Sequence, residues 1–188
     1  AGDLSGLAAG VLSRLPFLGA VAAAPSLPFA DFLVRRAPAD ASRLSPLDTE
    51  TRTFLHDIPF LRRGETGGDP GAAAAALLGK RKGAILEGVG IVAAGPATLE
   101  QAYVNWSCVF HATYVQYLLE VLRHGFLLPG EEEAFLRFRR ERLPPLTADG
   151  LSFRPGPLEE PGEIRDEMCA VGRCVVERGL VDSSFGNI

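Results

Sequence analysis

The chain has little of what disulfide scaffolds, metal sites and membrane spans are made from. Its 188 residues contain three cysteines (Cys108, Cys169, Cys174) and three histidines (His56, His111, His124). An odd number of thiols, with Cys169 and Cys174 five apart, matches neither a disulfide framework nor a zinc-finger pair. Buried reduced thiols in a cytoplasmic protein are the simpler expectation. The histidines fall in separate stretches, with no His-x-His or His-x3-His spacing between them. The apolar stretch from residue 7 to 34 is interrupted by Arg14, Pro16, Pro25 and Pro28, too often for a membrane helix. The balance of 19 basic and 23 acidic residues gives a net charge of −4, so no basic field draws nucleic acid or an anionic membrane. The N-terminus carries Asp3 and no basic segment, unlike a signal peptide. The absence of an initiator Met points to a start inside a longer gene product.

What remains suits one α/β domain, or one and a fraction. A chain of this size buries about 70% of its unfolded surface. Leu4, Leu7, Ala8, Val11 and Leu12 recur at helical spacing, and residues 19–25 read as a buried strand closed by Pro25. A helix beginning at Pro28 runs into Arg35-Arg36, a solvated helix end. Residues 45–50 read as a polar connector and Thr53–Leu61 as a strand. On a strand His56 and Asp57 would point to opposite faces, which excludes a dyad and leaves a structural histidine. Asp69-Pro70 is a strong helix start, with Asp as N-cap and Pro at the first helical position. The alanine-rich helix that follows is narrow enough for close packing. Lys80-Arg81-Lys82 at its end complements the helix dipole, with a phosphate grip as the alternative.

The stretch from Lys82 to Leu122 organises the rest. Two short apolar runs, Ala84–Leu86 and Ile91–Gly95, flank Gly88-Val89-Gly90 and read as strands around a tight bend. Thr98 with Gln101 three residues on signals a capping box. A helix of about 24 residues, roughly 36 Å, follows. It carries no charged side chain between Glu100 and Glu120, which predicts that it is covered on more than one side. Cys108 and His111 share a face of it, a packing pair rather than a nucleophile without a third group. His124-Gly125 stops it. Glu131–Glu133 open and Arg137, Arg139, Arg140 and Arg142 close another helix, in macrodipole order, so that this charge reads as structural. Residues 144–162 form a Pro/Gly-rich linker. Ile164, Met168, Val171 and Val175 then stripe an amphipathic helix over 163–178.

These motifs resemble the class II aldolase/adducin family. Its strand, His-Gly bend, second strand ending in Gly and long helix opening Leu-Glu-x-Ala have counterparts in Ala84–Leu86, Gly88-Val89-Gly90, Ile91–Gly95 and Leu99-Glu100-Gln101-Ala102. The resemblance implies an α/β/α layered sandwich with a mainly antiparallel central sheet. It places one zinc-ligand histidine at Val89. With Pro25 matched to the proline of the family's Ala-Val-Val-His-x-His-Pro, the other two fall at Ala22 and Ala24. The closing Leu180–Ile188 resembles the opening of such a domain, where a Gly-Asn loop holds substrate phosphate; Gly186 and Asn187 match it.

The expected organisation is an aldolase/adducin-like domain over 1–128, a helix and linker over 129–162, and the start of a second copy over 163–188. The expected function is a non-catalytic structural or assembly module of a larger aldolase-type protein. It would pair with like copies or with a catalytic copy, hold no cofactor itself, and bind a small phosphorylated ligand at Gly186 and Asn187 if anywhere. The rival expectation is a zinc-dependent aldehyde-lyase for a phosphorylated sugar, its metal site completed by other sequence or chains.

Overall fold

Aspartate, threonine and proline set the element starts. A computed structural model describes residues 3–15, 19–143 and 161–177. Asp3 caps α1 (Leu4–Leu12), accepting from the Gly6 amide at 2.9 Å. β1 (Ala20–Pro25) follows, then α2 (Pro28–Arg36) with Pro28 in its first turn. After β2 (Arg43–Leu44), Asp48 accepts from the Thr51 amide at 2.6 Å and caps α3 (Thr49–Leu55). β3 (Ile58–Leu61) leads to α4 (Pro70–Leu78), whose cap Asp69 accepts from Ala72 at 2.9 Å, as the Asp-Pro pair predicts. The hairpin β4 (Gly83–Leu86) and β5 (Gly90–Gly95) precedes α5 (Leu99–His124), which opens on the full Thr98/Gln101 capping box. α6 (Glu131–Arg142) and α7 (Pro161–Glu177) complete the described chain.

The five strands form one sheet in the order β1-β5-β4-β3-β2. The sheet is mixed, which corrects the expectation of a mainly antiparallel one. β4 and β5 are antiparallel because a tight turn joins them, but β3 and β4 run parallel because α4 carries the chain back to the same end. β1 pairs antiparallel with β5, and β2 with β3. β4 and β5 are buried along their whole length, so they show continuous apolar sequence rather than alternation. One face, with Ala84, Leu86, Val92 and Ala94, packs on Leu7 and Val11 of α1 and Ala74 and Leu78 of α4. Residues of the other parity meet α5: a side chain at Gly83 would strike Val109. The narrow α4 packs as its composition predicts, since a Cβ on Gly71 would stand 2.9 Å from the Gly10 Cα of α1.

Two local readings change. Residues 48–55 are a cap and a helix rather than connector and strand, because Asp48 satisfies the first turn; only Ile58–Leu61 is extended. The end of α2 is solvated at Arg35, 40% exposed, but not at Arg36. Arg35 Nε lies 2.6 Å from Glu87, and Arg36 donates from Nε to Oε1 of Glu131 (2.8 Å) and from Nη2 to the Gly125 carbonyl (2.7 Å). The Arg36–Glu131 pair is buried, with side chains 5% and 0% exposed. The second Glu131 oxygen accepts from the Leu127 and Leu128 amides at 2.7 and 2.9 Å, so this glutamate ties down the chain between α5 and α6.

The charge-free part of α5 is covered on two flanks. Ala102, Asn105, Val109 and Ala112 are buried, and Phe110 and Tyr114 meet Phe29 of α2 edge-on with centroids at 5.3 and 5.1 Å. Val115, within that part, and Leu122, beyond it, stay exposed. By contacts the chain divides into two compact units, Ala1–Leu136 and Arg137–Ile188. The second contains α7, whose Ile164 and Met168 are exposed.

Candidate functional site

The end of β1 lies against the β4–β5 turn, since Ala24 and Pro25 pair with Ile91 and Gly90. The approach is so close that a Cβ on Gly90 would stand 2.0 Å from the Ala24 carbonyl oxygen. The turn itself needs Gly88, at φ +76°. Of the positions that the resemblance assigns to zinc ligands, Ala24 and Val89 lie at this corner and Ala22 pairs with Ala93 further back along β1. Ala22, Ala24 and Val89 offer no donor atom. They do not converge either: Val21, Ala23 and Val89 pack on the α1–α4 core, so by alternation Ala22 and Ala24 face the α5 side. The residues present therefore do not fit a zinc ion.

Charged and polar side chains from three elements fill the corner. Asp31 of α2 accepts the Gly88 amide at 2.9 Å and the Ser26 hydroxyl. Glu87, at the end of β4, takes Arg35 Nε at 2.6 Å on one oxygen and the Arg63 amide at 3.0 Å on the other. The Arg63 guanidinium lies over Gly88, where a Cβ would meet Nη2 at 2.7 Å. Burial pushes the Glu87 carboxyl up, but the Arg63 amide and the Arg35 guanidinium outweigh it and hold the group below its ordinary value. Both carboxylates are thus committed to pinning the turn onto α2. No cluster of three His, Cys, Asp or Glu suited to a metal ion occurs among the described residues.

His56 and Asp57 do meet, which corrects the opposite-faces expectation. His56 is not on a strand. It sits at φ 69°, ψ −70°, and the Asp57 amide bonds the Leu55 carbonyl at 3.0 Å, a γ-turn of the strained, positive-φ kind. The turn places His56 Nδ1 2.9 Å from Asp57 Oδ2. Asp57 is buried and gripped by Arg81, whose Nε and Nη2 donate at 2.7 and 2.9 Å. The Arg81 hydrogen bond is the main force drawing Asp57 down to about 2, against burial. The His56 side chain is 78% exposed, and its contact with Asp57 is compatible with the structural role expected of it.

Of the other sequence candidates, His111 packs edge-on against Phe110, and His124 stands 3.9 Å from Glu120. Gly186 and Asn187 lie outside the described residues. Asp31, Glu87 and Arg63 were not legible as a group. The available signal was slight: Glu87 is the one charged residue between Lys82 and Glu100, and Asp31 precedes Arg35 by one helical turn.

A mixed sheet between helices, with a glycine-turn hairpin feeding a long capped helix, makes this an α/β fold. A solved structure shares that fold: L-fuculose-1-phosphate aldolase from Thermus thermophilus superposes with a TM-score of 0.52 and 20% identity, over 66% of this chain and 64% of that one. The likeness shows the fold alone, and the chain spans less than two thirds of that aldolase. No protein-family model and no curated protein sequence matches the chain. No described helix is long and apolar enough to cross a membrane.

Proposed function

We propose that this chain is a non-catalytic aldolase-fold domain, a structural or assembly module of a larger aldolase-type protein. The carrying observation is the corner at Gly88. Where the resemblance places three imidazoles stand Ala22, Ala24 and Val89, and the acidic groups beside them are consumed by Arg35, the Arg63 amide and the Gly88 amide. A class II aldolase needs a Lewis acid to stabilise the enediolate. An ion-pair clamp performs the mechanical part of that role, fixing the turn, without supplying an electrophile. The exposed Val115 and Leu122 of α5 support an assembly role. The rival reading, a zinc-dependent aldehyde-lyase completed by other sequence or chains, draws on Gly186 and Asn187 and on the neighbour's being a sugar-phosphate aldolase.

The test is retro-aldol cleavage of L-fuculose 1-phosphate with added zinc, followed by aldehyde release. The proposal expects the protein-free rate. Turnover that survives further purification and is lost on chelation would refute it.

A further inference from the structure

A cleft of about 260 Å³ opens between the β2–β3 edge and the last turn of α4. Ser42, Arg43, Asp57, Lys80 and Arg81 supply its polar lining. One part of that lining is already committed. Arg81 grips Asp57 with two donors and spends Nη1 on the Lys80 carbonyl at 2.9 Å. The rest is held more loosely. The Arg43 side chain, 63% exposed, makes a long ion pair with Asp57, Nη1 to Oδ2 at 3.6 Å, and donates no hydrogen bond to another described residue. The Lys80 ammonium and the Ser42 hydroxyl also make no hydrogen bond among the described residues.

The charges do not cancel. Three cations face one carboxylate and the roughly half negative charge of a helix C-terminus. More than one positive charge is left over, in a chain whose net charge is −4. A guanidinium offers a planar fork that matches two oxygens of one anion, and an ammonium adds a point charge. The volume falls just below the ~300–1,000 Å³ of drug-sized sites, which suits a compact ligand. We propose that this cleft is a binding site for a small phosphate-type dianion, with Arg43 and Lys80 as its grips, Ser42 as a hydroxyl donor, and the Arg81–Asp57 pair as its rigid wall. The site is independent of the non-catalytic reading and of Gly186 and Asn187.

The experiment is calorimetric titration of the full chain with inorganic phosphate, with sodium chloride at matched ionic strength as the blank. One saturable site is expected in the wild type. Arg43→Ala and Lys80→Ala should each weaken it at least about tenfold, the size of effect for a hydrogen bond to a charged group. Arg14→Ala, which removes an exposed arginine paired elsewhere with Asp69, and Asn187→Ala should leave it unchanged. No saturable heat, or equal weakening by Arg14→Ala, would overturn the proposal as nonspecific charge attraction. Loss in Asn187→Ala alone would overturn it by placing the phosphate elsewhere.

Discussion

Replacing Glu131 by alanine should be among the most damaging single changes to the first unit. The carboxylate is fully buried, accepts from Nε of Arg36 and the amides of Leu127 and Leu128, and has Nη2 of Arg36 at ion-pair distance, 2.7 Å. Removing it strands a guanidinium whose side chain is 5% exposed. Breaking a buried pair from one side costs about 3–5 kcal/mol. That is about a fifth or more of a typical ~5–15 kcal/mol stability. With a urea slope of about 2 kcal/mol/M, the midpoint should fall by about 2 M. Urea unfolding followed by the fluorescence of Trp106, on α5 in the same unit, reads this out. The double variant Arg36→Met/Glu131→Leu should recover much of the loss, because it leaves no buried charge. Burial raises the Glu131 carboxyl, but the Leu128 and Leu127 amides and Arg36 outweigh it and hold the pKa below the ordinary 4.5. A depressed folded-state pKa stabilises above the unfolded value and ceases to do so as pH falls through the folded one. The gap between wild type and Glu131→Gln should therefore be full at neutral pH and close in acid. A midpoint shift for Glu131→Ala within experimental scatter, or a double variant as weak as the single, would refute the reasoning.

The same linkage predicts that Asp57 contributes stability above its ordinary 3.8 and loses it as pH falls toward about 2; Asp57→Asn should flatten the acid limb of the melting-temperature profile across that window. Gly71→Ala, although alanine favours helices, should cost about 1–3 kcal/mol by calorimetry, since its Cβ would press on the Gly10 backbone at 2.9 Å. Val115→Glu and Leu122→Glu should leave the melting temperature nearly unchanged but lower the assembly size by light scattering; an unchanged mass would count against the assembly role.

Legibility followed the range of the interactions. Asp69-Pro70, the Thr98/Gln101 box and His124-Gly125 satisfy their own backbone within one turn, so four residues suffice to read them. The Gly88 hairpin is equally local, and the resemblance located Ala22, Ala24 and Val89. Phe54 and Leu55 suggested a strand because the Asp48 cap, which decides for helix, sits in what looks like a polar connector. The strand reading then hid the His56–Asp57 contact, which only a positive-φ turn allows. Arg36 and Glu131 are 95 positions apart, and Glu87 meets residues 52 positions before it and 24 before it, so no spacing rule could pair them. The parallel β3–β4 junction likewise depended on the path of α4 across the sheet.

The non-catalytic reading proposed above has ion pairs rather than a metal holding the Gly88 corner. The decisive measurement is zinc per chain by elemental analysis, after the purified chain has been equilibrated with excess zinc and unbound metal removed on a desalting column. Substoichiometric zinc, unchanged in Glu87→Ala, is expected. One zinc per chain, retained through the column and lost on substitution of Glu87 or Asp31, would contradict it.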